Sequence, residues 1–285
     1  MHPAPSVIVF TVLSGMGFGF LALLGLGAVG WAGFWAWGLG YGLAVAGLVS
    51  SAFHLGNPQR ALLAFTQWRT SWLSREAVLA VAALVALAPV ALSDWLGLDL
   101  PRGVGGLGAA LAVASITATA MIYAQIRAVP RWHHWVTPVL FLSFAVTGGL
   151  ILSGQARIAA LACLALVVLL RVAFRLGDGQ FARAGQTMGT ATGLAGDVSV
   201  FEWPHTGDNY LLREMIHVVG RRHSARLRLI AAVMAGLVPA LVLLAVPGVV
   251  GIGVATLAHL LGAFAARWLF FAEAEHVVGL YYGRR

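Results

Sequence analysis

EAVLAVAALVALAPVALSDW, residues 76–95, decides the fold: between Glu76 and Asp94 it carries no charged side chain. About 20 predominantly apolar residues, rising ~1.5 Å each as a helix, match the ~30 Å hydrocarbon core of a bilayer. Upstream lies a polar, arginine-bearing loop running from His54 to Glu76, and beyond it another apolar run. The same alternation continues along the chain. Eight spans follow, at about residues 6–28, 33–55, 76–95, 103–126, 133–154, 157–176, 227–248 and 250–276. The reading is an all-α polytopic membrane protein with eight transmembrane helices, a single domain over residues 1–285 with one extramembrane loop, 177–226, inside it.

Composition agrees. Hydrophobic residues make up 60% of the chain and charged residues 10%, against roughly 25% charged in a soluble domain. The 35 glycines suit helices that approach closely in lipid. "GLGAVG" (25–30) and "GVGGLG" (103–108) match a dinucleotide fingerprint as text, but neither follows a strand, so both read as packing or turn glycines. Cys163 is the single cysteine; it offers no intrachain disulfide and no thiolate set for an iron-sulfur cluster. The first apolar run lacks a positive leader and a small-residue cleavage site, and is expected to be retained.

All 18 basic residues are arginine, and with 10 acids they leave a net charge of +8. In a membrane protein that excess reports topology rather than nucleic-acid binding. With eight spans, both termini and the second, fourth and sixth loops share one face. Arg60, Arg69, Arg75, Arg127, Arg131, Arg175, Arg183, Arg213, Arg221, Arg222, Arg226, Arg228, Arg284 and Arg285 lie there, against Arg102 and Arg157 opposite. The positive-inside rule places that face, both termini and the large loop in the cytoplasm.

Ionisable groups at membrane depth are costly and mark function by default. They are His54, Glu76, Arg171, His259, Arg267, Glu273 and Glu275. His54 and Glu76 flank one loop, so they lie at the same face. Glu76 alternatively serves the first turn of a helix capped by Ser74, and His54 alternatively snorkels to the interface. Between them Leu62, Leu63, Phe65, Trp68 and Trp72 read as an amphipathic lid over a shallow pocket. An imidazole and a carboxylate beneath aromatics suit a lipophilic quinone, whose two-electron, two-proton chemistry needs groups titrating near neutrality; histidine does so unperturbed, and partial desolvation brings a glutamate toward that range. Arg60, Arg69 or Arg75 would instead hold Glu76 ionised. Tyr123 and Trp132 share the face of His54, as pocket lining or as core.

Haem held by two histidines has no matched pair, because His259 is the sole midspan histidine; His133 and His134 read as interfacial. His259, Arg267 and Glu273 read as a buried salt bridge or a proton path. A stand-alone transporter using Arg171, Arg267 and Glu273 is the rival class, without an evident internal repeat. In the large loop, Leu211, Leu212, Met215, Ile216 and Val219 approximate an apolar helical face, either an interfacial helix or a dock for a soluble subunit through Asn209, Tyr210, Arg213, Glu214 and Arg221.

Several blocks carry a family likeness: the N-terminal "HPAPSVIVFTVLSGMGFG", "FHLGNPQRA…SWLSRE", "MIYA…VPRW", "PHTGDNYLLREM" and the closing "RWLFFAEAEHVVGLYYG". Together they resemble the membrane-anchor subunit of the dimethyl sulfoxide reductase family of molybdopterin enzymes, including anchors of quinone-linked sulfite dehydrogenases. The resemblance runs from the first residues to the last. It implies an eight-helix anchor in the bacterial inner membrane, without haem or its own iron-sulfur cluster, that exchanges electrons between ubiquinone or menaquinone and an iron-sulfur subunit serving a molybdopterin catalytic subunit. It carries the quinol-site histidine of "HLG" onto His54 and the glutamate of "SRE" onto Glu76. Ser74, Arg75, Trp68 and Tyr123, near these two in the sequence reading, are the further candidates for the quinone-binding site. Such a chain hosts quinone chemistry without being the catalytic subunit, and the substrate is chosen elsewhere.

Overall fold

The computed structural model describes residues 1–53, 57–98, 102–202, 207, 209–216 and 223–282. Among them are eight helices long and apolar enough to cross a bilayer. They are α1 (Pro5–Gly25), α2 (Phe34–Ala52), α3 (Trp72–Leu96), α4 (Arg102–Ala124), α5 (Val136–Ser153) and α6 (Ala156–Asp178), then a composite seventh span and a last helix. Short helices α7 (Gln180–Arg183), α8 (Met188–Thr192) and α9 (Tyr210–Glu214) fall in the large loop. The seventh span joins α10 (Ser224–Ala232), a π-helical turn (Val233–Leu237) and α11 (Val238–Ala245); α12 (Gly248–Ala272) closes the bundle. Two 3-10 helices, Pro58–Phe65 and Val277–Tyr282, lie outside the spans.

Helix α1 is the hub. Its side chains Phe20, Leu21 and Leu24 are fully buried, and it packs on α2, α4, α5 and α12. Missing Cβ atoms allow this: a Cβ on Gly17 would lie 2.4 Å from the Ala44 backbone of α2, and one on Gly19 would lie 2.0 Å from the Ala145 carbonyl of α5. Gly25 and Gly105 pack backbone to backbone between α1 and α4, so the two fingerprint-like stretches meet each other as packing glycines, and Gly27 takes the left-handed turn after α1. Close approach by small residues is what drives helix association where lipid removes the hydrophobic incentive. Trp35 and Trp95 at one end and Trp68 and Trp135 at the other remain exposed, as interfacial belts do.

Three boundaries differ from the sequence expectation. α3 begins at Trp72 with Ser71 as its N-cap, so Ser74 does not cap it and Glu76 is beyond the first turn. α12 ends at Ala272, which places Glu273 at the C-cap and Glu275 outside the helix. In the large loop the described part of the amphipathic segment is helical only over Tyr210–Glu214; Val219 and the rest of 217–222 lie outside the described residues.

The π turn has a local cause. In a regular helix the Ala235 carbonyl would accept from residue 239, which is proline and has no N–H. His259 of α12 supplies the donor instead, its Nδ1 lying 2.7 Å from that oxygen. This bond assigns the buried imidazole a structural duty and fixes Nδ1 as the protonated nitrogen toward the carbonyl.

Replacing Gly19 with alanine should lower the thermal midpoint of the detergent-solubilised protein, at a cost of roughly 1–3 kcal/mol for overpacking. Gly38→Ala, where an added Cβ meets nothing within 4 Å, should leave the midpoint unchanged; equal effects would refute the close-packing account.

Candidate functional site

Glu76 is buried one turn inside α3, on the face shared by both termini. Its Oε1 accepts a 2.7 Å hydrogen bond from Thr119 Oγ1 of α4. That hydroxyl also lies 3.1 Å from the Ser115 carbonyl. A hydroxyl has one proton to give and lone pairs to accept with. With Glu76 ionised, Thr119 donates to the carboxylate; with Glu76 protonated, Thr119 can donate to Ser115 and accept from the acid. The pair therefore accommodates both protonation states without moving the backbone.

Among the described residues, no arginine contacts the Glu76 carboxylate. Arg75 turns away, its Nε donating to the Trp68 carbonyl at 3.0 Å and its NH2 to the Arg69 carbonyl at 2.6 Å, with its guanidinium 4.4 Å from the Trp72 ring. It ties the preceding loop to the start of α3. Arg69 lies over the Trp68 ring, and among the described residues no arginine pairs with Glu76. Ser74 is buried in the first turn of α3. Leu62, Leu63, Phe65 and Trp68 are all exposed, forming an apolar shelf next to α3 rather than a closed roof. His54 lies outside the described residues.

Tyr123, one turn beyond Thr119, is buried among Trp132, Phe141, Phe270 and Phe271. Ser115, Thr119 and Tyr123 recur every fourth residue, which puts a polar stripe on one face of α4. Sequence reading missed Thr119, and this spacing opposite Glu76 was the available signal. Behind Thr119 is a cavity of about 20 Å³, also lined by Thr11, Ser14, His259 and Arg267. Such a volume has room for about one water. A second cavity of about 50 Å³ runs from Arg267 to Thr137, Arg131 and Glu273.

Arg267 is buried, with its guanidinium 3.6 Å from the centre of the Phe141 ring. The expected His259–Arg267–Glu273 salt bridge is absent, because Glu273 is claimed elsewhere. Its Oε2 pairs with Arg131 NH2, and its Oε1 accepts from Arg228 Nε at 2.6 Å. Arg228 also bonds both oxygens of Asp178, one at 2.7 Å, and Arg131 NH1 reaches Asp178 at 3.2 Å. Two carboxylates and two guanidiniums thus form a closed ring joining the ends of α6 and α12 to α10 and the α4–α5 connection. The transporter trio is likewise dispersed: Arg171 is exposed on α6, Arg267 lies among aromatic rings, and Glu273 belongs to the ring.

On the same face the extramembrane segments knit together. The amino terminus donates to the Ala274 carbonyl, and His2 N–H to the Glu214 carbonyl at 2.7 Å. Asn209 donates to the Tyr282 hydroxyl at 3.1 Å, and Tyr281 to the Ala191 carbonyl. Tyr210, Arg213 and Glu214 are exposed on this cap, as is Phe201, while Arg221 lies outside the described residues. His133 Nδ1 lies 2.6 Å from the Ala124 carbonyl at the end of α4, and His134 Nδ1 accepts from the Val136 N–H at the start of α5; burial and the nearby Arg183 charge hold the His134 imidazole below its ordinary pKa.

Comparison with known proteins points one way. The family model described as "DMSO reductase anchor subunit (DmsC)" matches residues 2–273. The sulfite dehydrogenase C subunit of Allochromatium vinosum is 30% identical, over 99% of each chain. No solved structure matches.

Glu273→Gln should destabilise the protein by about 3–5 kcal/mol, because it strips a shared partner from two partly buried guanidiniums. Asp178→Asn, at the half-exposed rim of the same ring, should cost under about 1 kcal/mol. Thermal unfolding in detergent compares the two, and the reverse order would show that the ring is not anchored at Glu273.

Proposed function

Because this chain belongs to the DMSO reductase anchor subunit (DmsC) family, we propose that it passes electrons between membrane quinone and the iron-sulfur subunit of a molybdopterin oxidoreductase. The observation that carries this reading is Glu76: a buried carboxylate one turn below the surface that, among the described residues, pairs with no arginine and is held by a single hydroxyl that suits either protonation state. His54, at the other end of the same loop, is its proposed partner.

Oxidation of a quinol releases two protons and two electrons. Glu76 and His54 take the protons from the two ring hydroxyls, and the electrons leave one at a time for a cluster in the docked subunit. Quinone reduction runs the same steps backward, the two groups then delivering the protons. Thr119 positions the carboxylate. The exposed shelf of Leu62, Leu63, Phe65 and Trp68 receives the apolar part of the quinone, with Ser74, Arg75 and Tyr123 around the site. The similarity to a sulfite dehydrogenase subunit favours sulfite oxidation, with quinone as acceptor, over dimethyl sulfoxide reduction.

The partner docks on the knitted cap, through Asn209, Tyr210, Arg213, Glu214 and Arg221. That face also carries Glu76, so the electron path from quinone to the docked cluster is short. The arginine bias assigns this face to the cytoplasm of a bacterial inner membrane.

Glu76→Gln and His54→Ala in the intact complex should each lower quinone-coupled turnover about 10²–10⁴-fold, the usual range for losing a positioned acid or base. Electron exchange between the catalytic subunit and a soluble dye should persist. Parallel loss of both activities, or unchanged quinone turnover, would overturn the assignment. Thr119→Val should reduce quinone turnover less than Glu76→Gln does, and Thr119→Ser should restore it, because serine keeps the hydroxyl.

A further inference from the structure

Among the described residues, two cations on α6 have no partner. Arg171 and Arg175 are one turn apart on the same side of the helix, both are exposed, and among the described residues neither makes an ion pair or a side-chain hydrogen bond. The surroundings are lipid-facing: Leu161, Leu164 and Val168 are exposed along α6. α6 ends at Asp178, so Arg171 lies roughly 10 Å inside that end at ~1.5 Å per residue. A guanidinium at that depth is costly unless it snorkels or meets an anion.

Beside these arginines runs a groove of about 670 Å³ between α6 and the seventh span. Its floor is apolar, from Leu164 and Val168 on one side and Leu229, Val233 and Leu237 on the other. Arg171 and Arg175 line its end nearest the cytoplasmic-side face, together with Arg228. Arg228 is already neutralised by Asp178 and Glu273. The unsatisfied positive charge is therefore that of the two α6 arginines, set directly above a slot fit for hydrocarbon.

We propose that this groove binds an anionic phospholipid, its phosphodiester held by Arg171 and Arg175 and its acyl chains lying on the apolar floor. Basic pockets between transmembrane helices recognise anionic headgroups by this combination, and guanidinium pairs phosphate bidentately. A zwitterionic lipid would bring its own cation into a site that already has two. A quinone ring, neutral and without phosphate, would leave both guanidiniums uncompensated. The π turn contributes to the shape, since Val233 and Leu237 at its two ends both face the groove.

The test uses the full-length chain with its companion subunits in mild detergent, read by native mass spectrometry and thermal unfolding. Phosphatidylglycerol should remain bound through purification and raise the unfolding midpoint by several degrees; phosphatidylcholine with the same acyl chains, or inorganic phosphate alone, should not. The double variant Arg171→Gln/Arg175→Gln should retain at least tenfold less phosphatidylglycerol and lose the shift, each single variant should lose part of it, and Arg157→Gln on the opposite face should behave as the parent. Equal stabilisation by phosphatidylcholine or phosphate, undiminished retention in the double variant, or recovery of quinone in place of lipid from this groove would overturn the proposal. None of these readouts depends on the quinone site, so the two readings fail separately.

Discussion

Helix α1 meets α2, α4 and α5 backbone to backbone, and the rest of the bundle is arranged around that contact. In lipid there is no hydrophobic gain from burying one apolar helix against another, so the gain comes from contact density and from backbone approach. Gly17, Gly19 and Gly25 remove the Cβ atoms that would hold the neighbours away. Once α4 and α5 are drawn in, the polar stripe of Ser115, Thr119 and Tyr123 is brought opposite Glu76, and Phe141 is brought over Arg267. Polar chemistry in the interior is thus a consequence of how closely three glycines of α1 let its neighbours approach.

The same face contains two buried carboxylates in contrasting settings. Glu273 is gripped by two guanidiniums and shares them with Asp178, which fixes charge and geometry together and joins three helices and a loop. Among the described residues Glu76 is held by a hydroxyl alone. A clamped acid is a fastener; a loosely held one is free to exchange a proton. This division explains why the arginine-rich face can be both a structural seam and, in the proposed function, a place where protons come and go.

Much of this was legible in the text of the chain. All eight spans follow from long, predominantly apolar runs, since their signal is local and strong, and the glycine stretches were readable as packing because no strand preceded them. Helix ends were less so: α3 starts four residues before the apolar run does, because Trp72 and Leu73 are as content at an interface as in the core, and Ser74 is carried inside with them. The ring of Arg131, Asp178, Arg228 and Glu273 was illegible, because its members are far apart in sequence and each alone resembles an ordinary end-of-helix charge. Thr119 was within reach from the four-residue spacing. Of the candidate site, Glu76, Ser74, Arg75, Trp68 and Tyr123 are placed by the structure and His54 is outside the described residues, so the pairing of imidazole with carboxylate remains a reading of the sequence.

Pro239 leaves a mark beyond its missing N–H. A π turn contains one residue more than the α turn it replaces, and each helical residue advances the azimuth by about 100°. The stretch after the turn is therefore rotated relative to the stretch before it. Ala231 upstream and Ala240 and Leu243 downstream still all point inward, although no single 3.6-residue wheel would align them. The seventh span works as two half-cylinders with a phase slip between them, and His259 is the pin that holds the slip in place.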